Sequence, residues 1–145
     1  IKFNHYTSGS FGITENIKII TSPHGHPGGA NSIRVDIDRF SVTYVTDCEH
    51  PDNHLNENVV SIANNADILI HDSHFSNQDL EKFKGWGHSS WGKAVQVAKE
   101  ADVKQLVLFH YNPRYDDDTV SKLVMEAKEK FQNVTASKQG LQINF

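Results

Sequence analysis

Three short apolar stretches in this 145-residue chain each stop at a residue able to bind a metal or move a proton. SVTYVTD ends at Asp47, ADILIHD at His71 and Asp72, and QLVLFH at His110. Apolar runs of this length read as buried strands. Open α/β sheets gather ligands beyond the carboxyl ends of their strands. The three ends therefore predict one sheet edge that carries a catalytic site.

The segments between them fit that sheet. Ile17 to Thr21 reads as a strand, followed by the turn-rich SPHGHPGGAN. Ile33, Val35 and Ile37 alternate with polar residues, Asp38 and Arg39 make a turn, and Val42, Tyr44 and Val45 lead to Asp47, which is a hairpin pattern. Helical spacing of apolar residues predicts helices over Asn53 to Ala66, Trp91 to Ala101 and, after the acidic start Asp116 to Asp118, through Phe131. Ser76 and Asp79 read as a capping pair for a short helix. Strands are expected around Val134 and from Leu141 to Phe145. Strands alternating with helices imply an α/β fold in a single domain piece spanning residues 1–145.

Composition narrows the function. The formal charge is -4, and no run of Lys or Arg supplies a phosphate-gripping stripe, so nucleic acid is the less favoured partner. No apolar run approaches the roughly 20 residues that span a bilayer, so no membrane partner is expected. Cys48, the only cysteine, fits a reducing, cytoplasmic compartment. A start at Ile1 suggests a piece of a longer chain, a processed form or a trimmed one.

Five residues stand out for chemistry. His26 lies in HGHPGG, where glycine lets the backbone pass close to a bound group. Asp47 and Cys48 should point to opposite sides of their strand, and the carboxylate is the better bridge for hard cations. Asp72 and His88 are a candidate acid/base pair, a carboxylate at a strand end and an imidazole opening a helix. His110 follows a fully apolar strand, where a buried imidazole needs a partner. The other histidines, His5, His24, His50, His54, His71 and His74, read mostly as surface residues, with His50 and His74 near enough to Asp47 and Asp72 to support them.

The order HPGG, YVTDCEH, DILIHDSHF and GWGHSSWGKAVQVAKEADVKQLVLFHYNPRYDDD resembles the carboxyl-terminal half of metallo-β-lactamase-fold hydrolases. The resemblance is strongest to the phosphodiesterase branch that includes the tRNA 3′-processing nucleases, and covers residues 13–145. It implies half of an αββα four-layer sandwich. It also implies that His26 completes one metal site, Asp47 bridges two divalent metal ions and His110 completes the other. Zinc is the first expectation for those ions, with manganese and iron equally suited to the ligands. Asp72 and His88 would be the pair that protonates the leaving oxygen, although the nuclease branch typically has Glu where Asp72 stands, one methylene longer.

The family's HxHxDH motif is missing from this chain, since His24-Gly25-His26 lacks the Asp-His continuation. An amino-terminal half carrying HxHxDH is therefore the expected partner, and a homodimer stays open. With that half in place the resemblance implies two-metal hydrolysis, in which a bridging water deprotonated near neutral pH attacks phosphorus. The nuclease branch usually carries a tRNA-gripping arm between the positions of His26 and Asp47, and only 20 residues separate them here. A small phosphodiester or cyclic nucleotide is thus the expected substrate. The alternatives are a non-catalytic ligand- or metal-sensing module and an RNA-processing nuclease.

Overall fold

Tight turns between β-rich segments, then longer helical connections, dictate a sheet that changes from antiparallel to parallel along its width. The computed structural model describes residues 8–144. It shows a seven-stranded sheet in simple sequence order, β1 (Gly9–Thr14), β2 (Ile17–His24), β3 (Ala30–Ile37), β4 (Phe40–Val45), β5 (Ile68–Asp72), β6 (Gln105–Phe109) and β7 (Val134–Ala136). The first four strands are antiparallel neighbours. Strands β4 to β7 are parallel. The parallel strands are linked through helices α1 (Glu57–Ala63), α3 (Trp91–Glu100) and α4 (Asp117–Lys130), with a one-turn α2 (Asn77–Leu80) before α3.

Side chains place each helix start. Asn56 accepts the amides of Asn58 and Val59, Ser90 that of Lys93, and Asp116 that of Thr119. Asn56 as cap, with an extended backbone of its own, shortens the first helix relative to the Asn53 to Ala66 expectation, and Asp52 to His54 before it form a turn and bend. Ser76 caps α2 by accepting the Asp79 amide at 3.0 Å.

Helices α1, α3 and α4 cover one face of the sheet. The core there joins Val45, Leu69, Leu106 and Leu108 to Val59, Ala94, Val97, Ala98, Leu123 and Ala127. Arg34 lies on this side, donating to the carbonyls of Ile62 and Asn64 at the end of α1. By alternation and register, the opposite face carries Ile33 beside Tyr44, Val35 beside Val42 and Ile37 beside Phe40. Ile33, Ile37 and Tyr44 are 39%, 41% and 38% exposed on that face. One β layer and one α layer are half of a four-layer sandwich.

Two expectations change. β1, GSFGIT, pairs with β2 although nothing in its composition marked it as a strand. The segment from Leu141 is irregular rather than a strand, turning back with Leu141 N–H on the Lys138 carbonyl at 3.0 Å, and Phe145 lies outside the described residues.

Candidate metal and acid/base centre

Four connections meet at the carboxyl ends of the parallel strands. Asp47 follows β4 and His110 follows β6, both with left-handed backbones (φ 54° and 61°). Such φ values are uncommon outside glycine and are most tolerated by Asn, Asp and His. Asp47 Oδ1 and His110 Nε2 lie 3.5 Å apart. The Asp47 backbone is pinned from β2, where Nε2–H of His24 is shared between the Thr46 and Asp47 carbonyls at 3.1 and 3.0 Å and Nδ1 accepts the Ser32 hydroxyl at 2.8 Å.

Asp72 ends β5 fully buried. Its Oδ2 accepts Nδ1–H of His88 at 3.0 Å and the Cys48 amide at 3.4 Å, while Oδ1 accepts the amides of His74 and Ser89 at 3.0 and 3.1 Å. The shorter Asp thus reaches His88 directly. Burial alone would raise the Asp72 carboxyl, but His88 and the His74 and Ser89 amides outweigh it and hold the group below the usual carboxylate range. In return the Asp72 bond raises the His88 pKa.

His26 sits in the β2–β3 loop, its Nδ1 accepting the Gly28 amide at 3.2 Å, and its ring lies 6.2 Å from that of His88. The His88 ring is 5.0 Å from the His110 ring. The five residues singled out from the sequence therefore form one chain of neighbours, Asp47 to His110 to His88, with Asp72 behind His88 and His26 beside it.

His74 was missed. Its Nδ1–H donates to the His110 carbonyl at 3.0 Å and its ring stacks 4.2 Å from that of His88. Burial, then the neighbouring His88, lowers its pKa. The nitrogens of His74, His88 and His110 lie within 4.8 Å of one another, a cation-sized cluster. DSH puts His74 two residues beyond Asp72, at the same sheet edge, and that closeness is the signal the sequence offers for it.

This donor set fits divalent metal ions. His74 spends Nδ1–H on the His110 carbonyl, which leaves Nε2 of its neutral ring as a lone pair, the arrangement that orients metal-bound imidazoles. A carboxylate and several imidazoles suit zinc, manganese and iron.

Another departure concerns His24, His50 and His71, expected at the surface and in fact buried. His50 Nδ1 accepts the Asn56 amide at 3.0 Å, so its Nε2 carries the proton toward Nε2 of His71 at 3.3 Å, and His71 Nδ1–H donates to the Asp72 carbonyl at 2.7 Å. Each ring is neutral in one tautomer. Burial pushes His50 down to about 2 and lowers His71 also, and it raises the nearby Cys48 thiol. With every polar hydrogen bound in one direction, this cluster braces the core behind Asp72. His54 is exposed as expected, and His5 lies outside the described residues.

An α/β half-sandwich with Asp and His at its strand ends defines the class of metallo-β-lactamase-fold proteins. A family model, Beta-lactamase superfamily domain, matches residues 3–111, and the chain belongs to that superfamily. It is similar to ribonuclease Z of Archaeoglobus fulgidus, 49% identical over 78 residues that make up 51% of this chain and 24% of that protein. Among solved structures it is similar to the metallo-β-lactamase fold protein YhfI from Bacillus subtilis, with 24% identity, TM-score 0.74, and 96% of this chain and 54% of that chain covered. Zinc-bound PqqB from Methylobacterium extorquens shares the fold at 14% identity and TM-score 0.68, over 95% of this chain and 54% of that one. The chain thus spans about a quarter of the ribonuclease Z relative's length and about half of these structures. No described helix is long and apolar enough to cross a membrane.

Proposed function

We propose that this protein is a metal-dependent phosphodiester hydrolase that processes RNA, with His26, Asp47 and His110 contributing metal ligands and His88, held by Asp72, acting as the acid. The observation that carries the reading is the buried Asp72 bonded at 3.0 Å to His88, whose ring lies 5.0 Å from that of His110. The similarity to ribonuclease Z favours RNA as the substrate.

Metal ions held there would supply a water acidified near neutral pH and neutralise charge on a phosphodiester. The chain's own residues do the rest. Asp72 fixes the His88 ring through Nδ1 and stabilises its cationic form, so Nε2–H is the proton available to a departing alkoxide. His74, stacked on His88 with a lowered pKa, stays neutral and holds His110 through its carbonyl. Two adjacent imidazoles are thereby pushed toward opposite protonation states, the pattern that separates an acid from a ligand.

The open sheet face with Ile33, Ile37 and Tyr44 supports a second half of the fold packed against it, carrying HxHxDH and completing the ligand set. A smaller substrate has one observation in its favour. β3 and β4 close directly through Asp38 and Arg39, leaving no arm between His26 and Asp47 to grip a folded RNA.

The test is incubation of the full-length, zinc-loaded protein with a 3′-extended precursor tRNA and with small phosphodiesters, including cyclic nucleotides and bis-aryl phosphates. Endonucleolytic cleavage of the RNA is expected. Exclusive turnover of the small esters would move the substrate to the second reading, and metal binding without any turnover would reject both in favour of a sensor.

A further inference from the structure

Glu49 ties the site to an exposed aromatic ring. Its Oε1 accepts the Gly85 amide at 2.6 Å and its Oε2 the Gly87 amide at 2.7 Å. Both glycines have φ of 84°, so the Gly-Trp-Gly turn is locked from below by one bidentate carboxylate. Gly87 also lies directly against His26 and Pro27, whose rings occupy the space a Cβ would need. The residue between the glycines, Trp86, is 58% exposed and two positions before His88.

The indole packs on a neighbouring ring. It meets Phe83 in a T-shape at 5.0 Å, Phe83 stacks on Phe75 at 5.1 Å, and the buried Phe75 meets His74 in a T-shape at 4.7 Å. An aromatic ladder therefore runs from the histidine cluster to the surface and ends in a ring with a free side. A cleft of about 450 Å³, lined by His26, Pro27, Glu49, Lys84 and Gly85, opens beside the turn. A ring this exposed on a backbone this fixed has already lost much of the freedom that ligand binding would otherwise remove.

Resting on the phosphodiesterase reading above, we infer that Trp86 is the stacking platform for the nucleobase next to the phosphodiester, so that the site selects nucleotide substrates through the base. Charge makes stacking the available means. The chain is net -4, and Lys84 beside the cleft is already paired with Asp52 and Glu81 at 3.1 and 2.9 Å. Base–aromatic stacking tolerates any base because each has a π-face, and single-stranded RNA ends present unstacked bases.

The test compares Trp86→Ala and Trp86→Phe with the unchanged full-length, zinc-loaded protein. Trp86→Ala should lower kcat/KM by about 5- to 150-fold, the range that single stacking contacts give, and Trp86→Phe should retain most of it. On an RNA with an abasic residue at the scissile bond the unchanged protein should fall to the level of Trp86→Ala, which should lose nothing more. Loss on a dinucleotide as well as on the RNA assigns the platform to any nucleotide phosphodiester, and loss on the RNA alone assigns it to the RNA end. Equal losses on intact and abasic RNA, or no loss at all, overturn the inference. An activity-independent arm records Trp86 fluorescence as the difference between the unchanged protein and Trp86→Phe. Adenosine monophosphate should quench it and ribose 5-phosphate should not. If no phosphodiester is cleaved, the functional reading fails and this arm alone decides the inference, with absence of quenching against it.

Discussion

Nδ1 of His88 lies 3.0 Å from Oδ2 of Asp72, joining a half-buried imidazole to a carboxylate with no solvent contact. The bond raises the His88 pKa, so the protonated ring persists to higher pH than free imidazole and acid function is lost as pH rises through that raised value. Asp72→Asn removes the charge that raises it. The alkaline limb of the kcat profile should then move to lower pH, with kcat down about 10- to 100-fold. His88→Ala should cost about 10²- to 10⁴-fold. An unmoved limb in Asp72→Asn would take His88 out of the acid role.

Gly87→Ala reaches the metal site from outside it. An added Cβ would lie 2.6 Å from Pro27 Cδ and 2.8 Å from His26 Nε2, at a backbone φ of 84° that resists any side chain. His26 must move aside. The variant should keep its circular dichroism spectrum and bind less zinc per chain than the unchanged protein, as measured by atomic absorption. Full zinc occupancy would show that His26 contributes no ligand.

The sequence carried the strand ends well because a short apolar run and its polar stop are local signals, and the same holds for the cap at Ser76 and the acidic helix start at Asp116 to Asp118. What it hid depends on pairing across the sheet. His71 sits within β5 on the helix side, and only the return of the β4–α1 loop brings His50 to it. No local pattern distinguishes such a buried, partnered histidine from a solvated one. β1 escaped for a similar reason, since GSFGIT is held by its neighbour β2 and buries little of its own surface. Conversely, Leu141 to Phe145 alternates like a strand, but alternation alone does not supply an edge to pair with.

The buried histidines set an acid limit on stability. Their folded pKa values are lowered, with His50 at about 2, whereas in the unfolded chain each takes a proton near 6.5. The unfolded state therefore binds more protons as pH falls, so the stability these rings contribute is complete above about 6.5 and declines below it. For His50 the decline at pH 5 is about 2 kcal/mol, and His71 and His24 act in the same direction. Urea unfolding of the metal-free protein at pH 7 and pH 5 should show this loss, and His50→Gln should flatten it. An unchanged pH slope in that variant would mean His50 is accessible to protons in the folded state.

At the opposite end of the same strands, Asp67 clamps three of them and titrates with its own sign. Its Oδ2 accepts the Ser41 amide and hydroxyl of β4 at 2.7 and 3.1 Å, and its Oδ1 meets Nζ of Lys104, just before β6, at 2.6 Å. The Lys104 bond, against a smaller opposing effect of burial and with help from Ser41, holds the carboxyl below its usual range. A depressed carboxylate contributes stability that is present above the unfolded value near 4 and is lost as pH falls through the folded one. Asp67→Ala should therefore destabilise by about 1 to 3 kcal/mol at pH 7, because two bonds to Ser41 go with the charge. Lys104→Ala should cost no more than about 1 kcal/mol, since that ammonium is largely in water. The gap between Asp67→Ala and the unchanged protein should narrow below pH 4 in thermal unfolding. If it stays constant there, the clamp works through hydrogen-bond geometry alone and not through the ionised carboxylate.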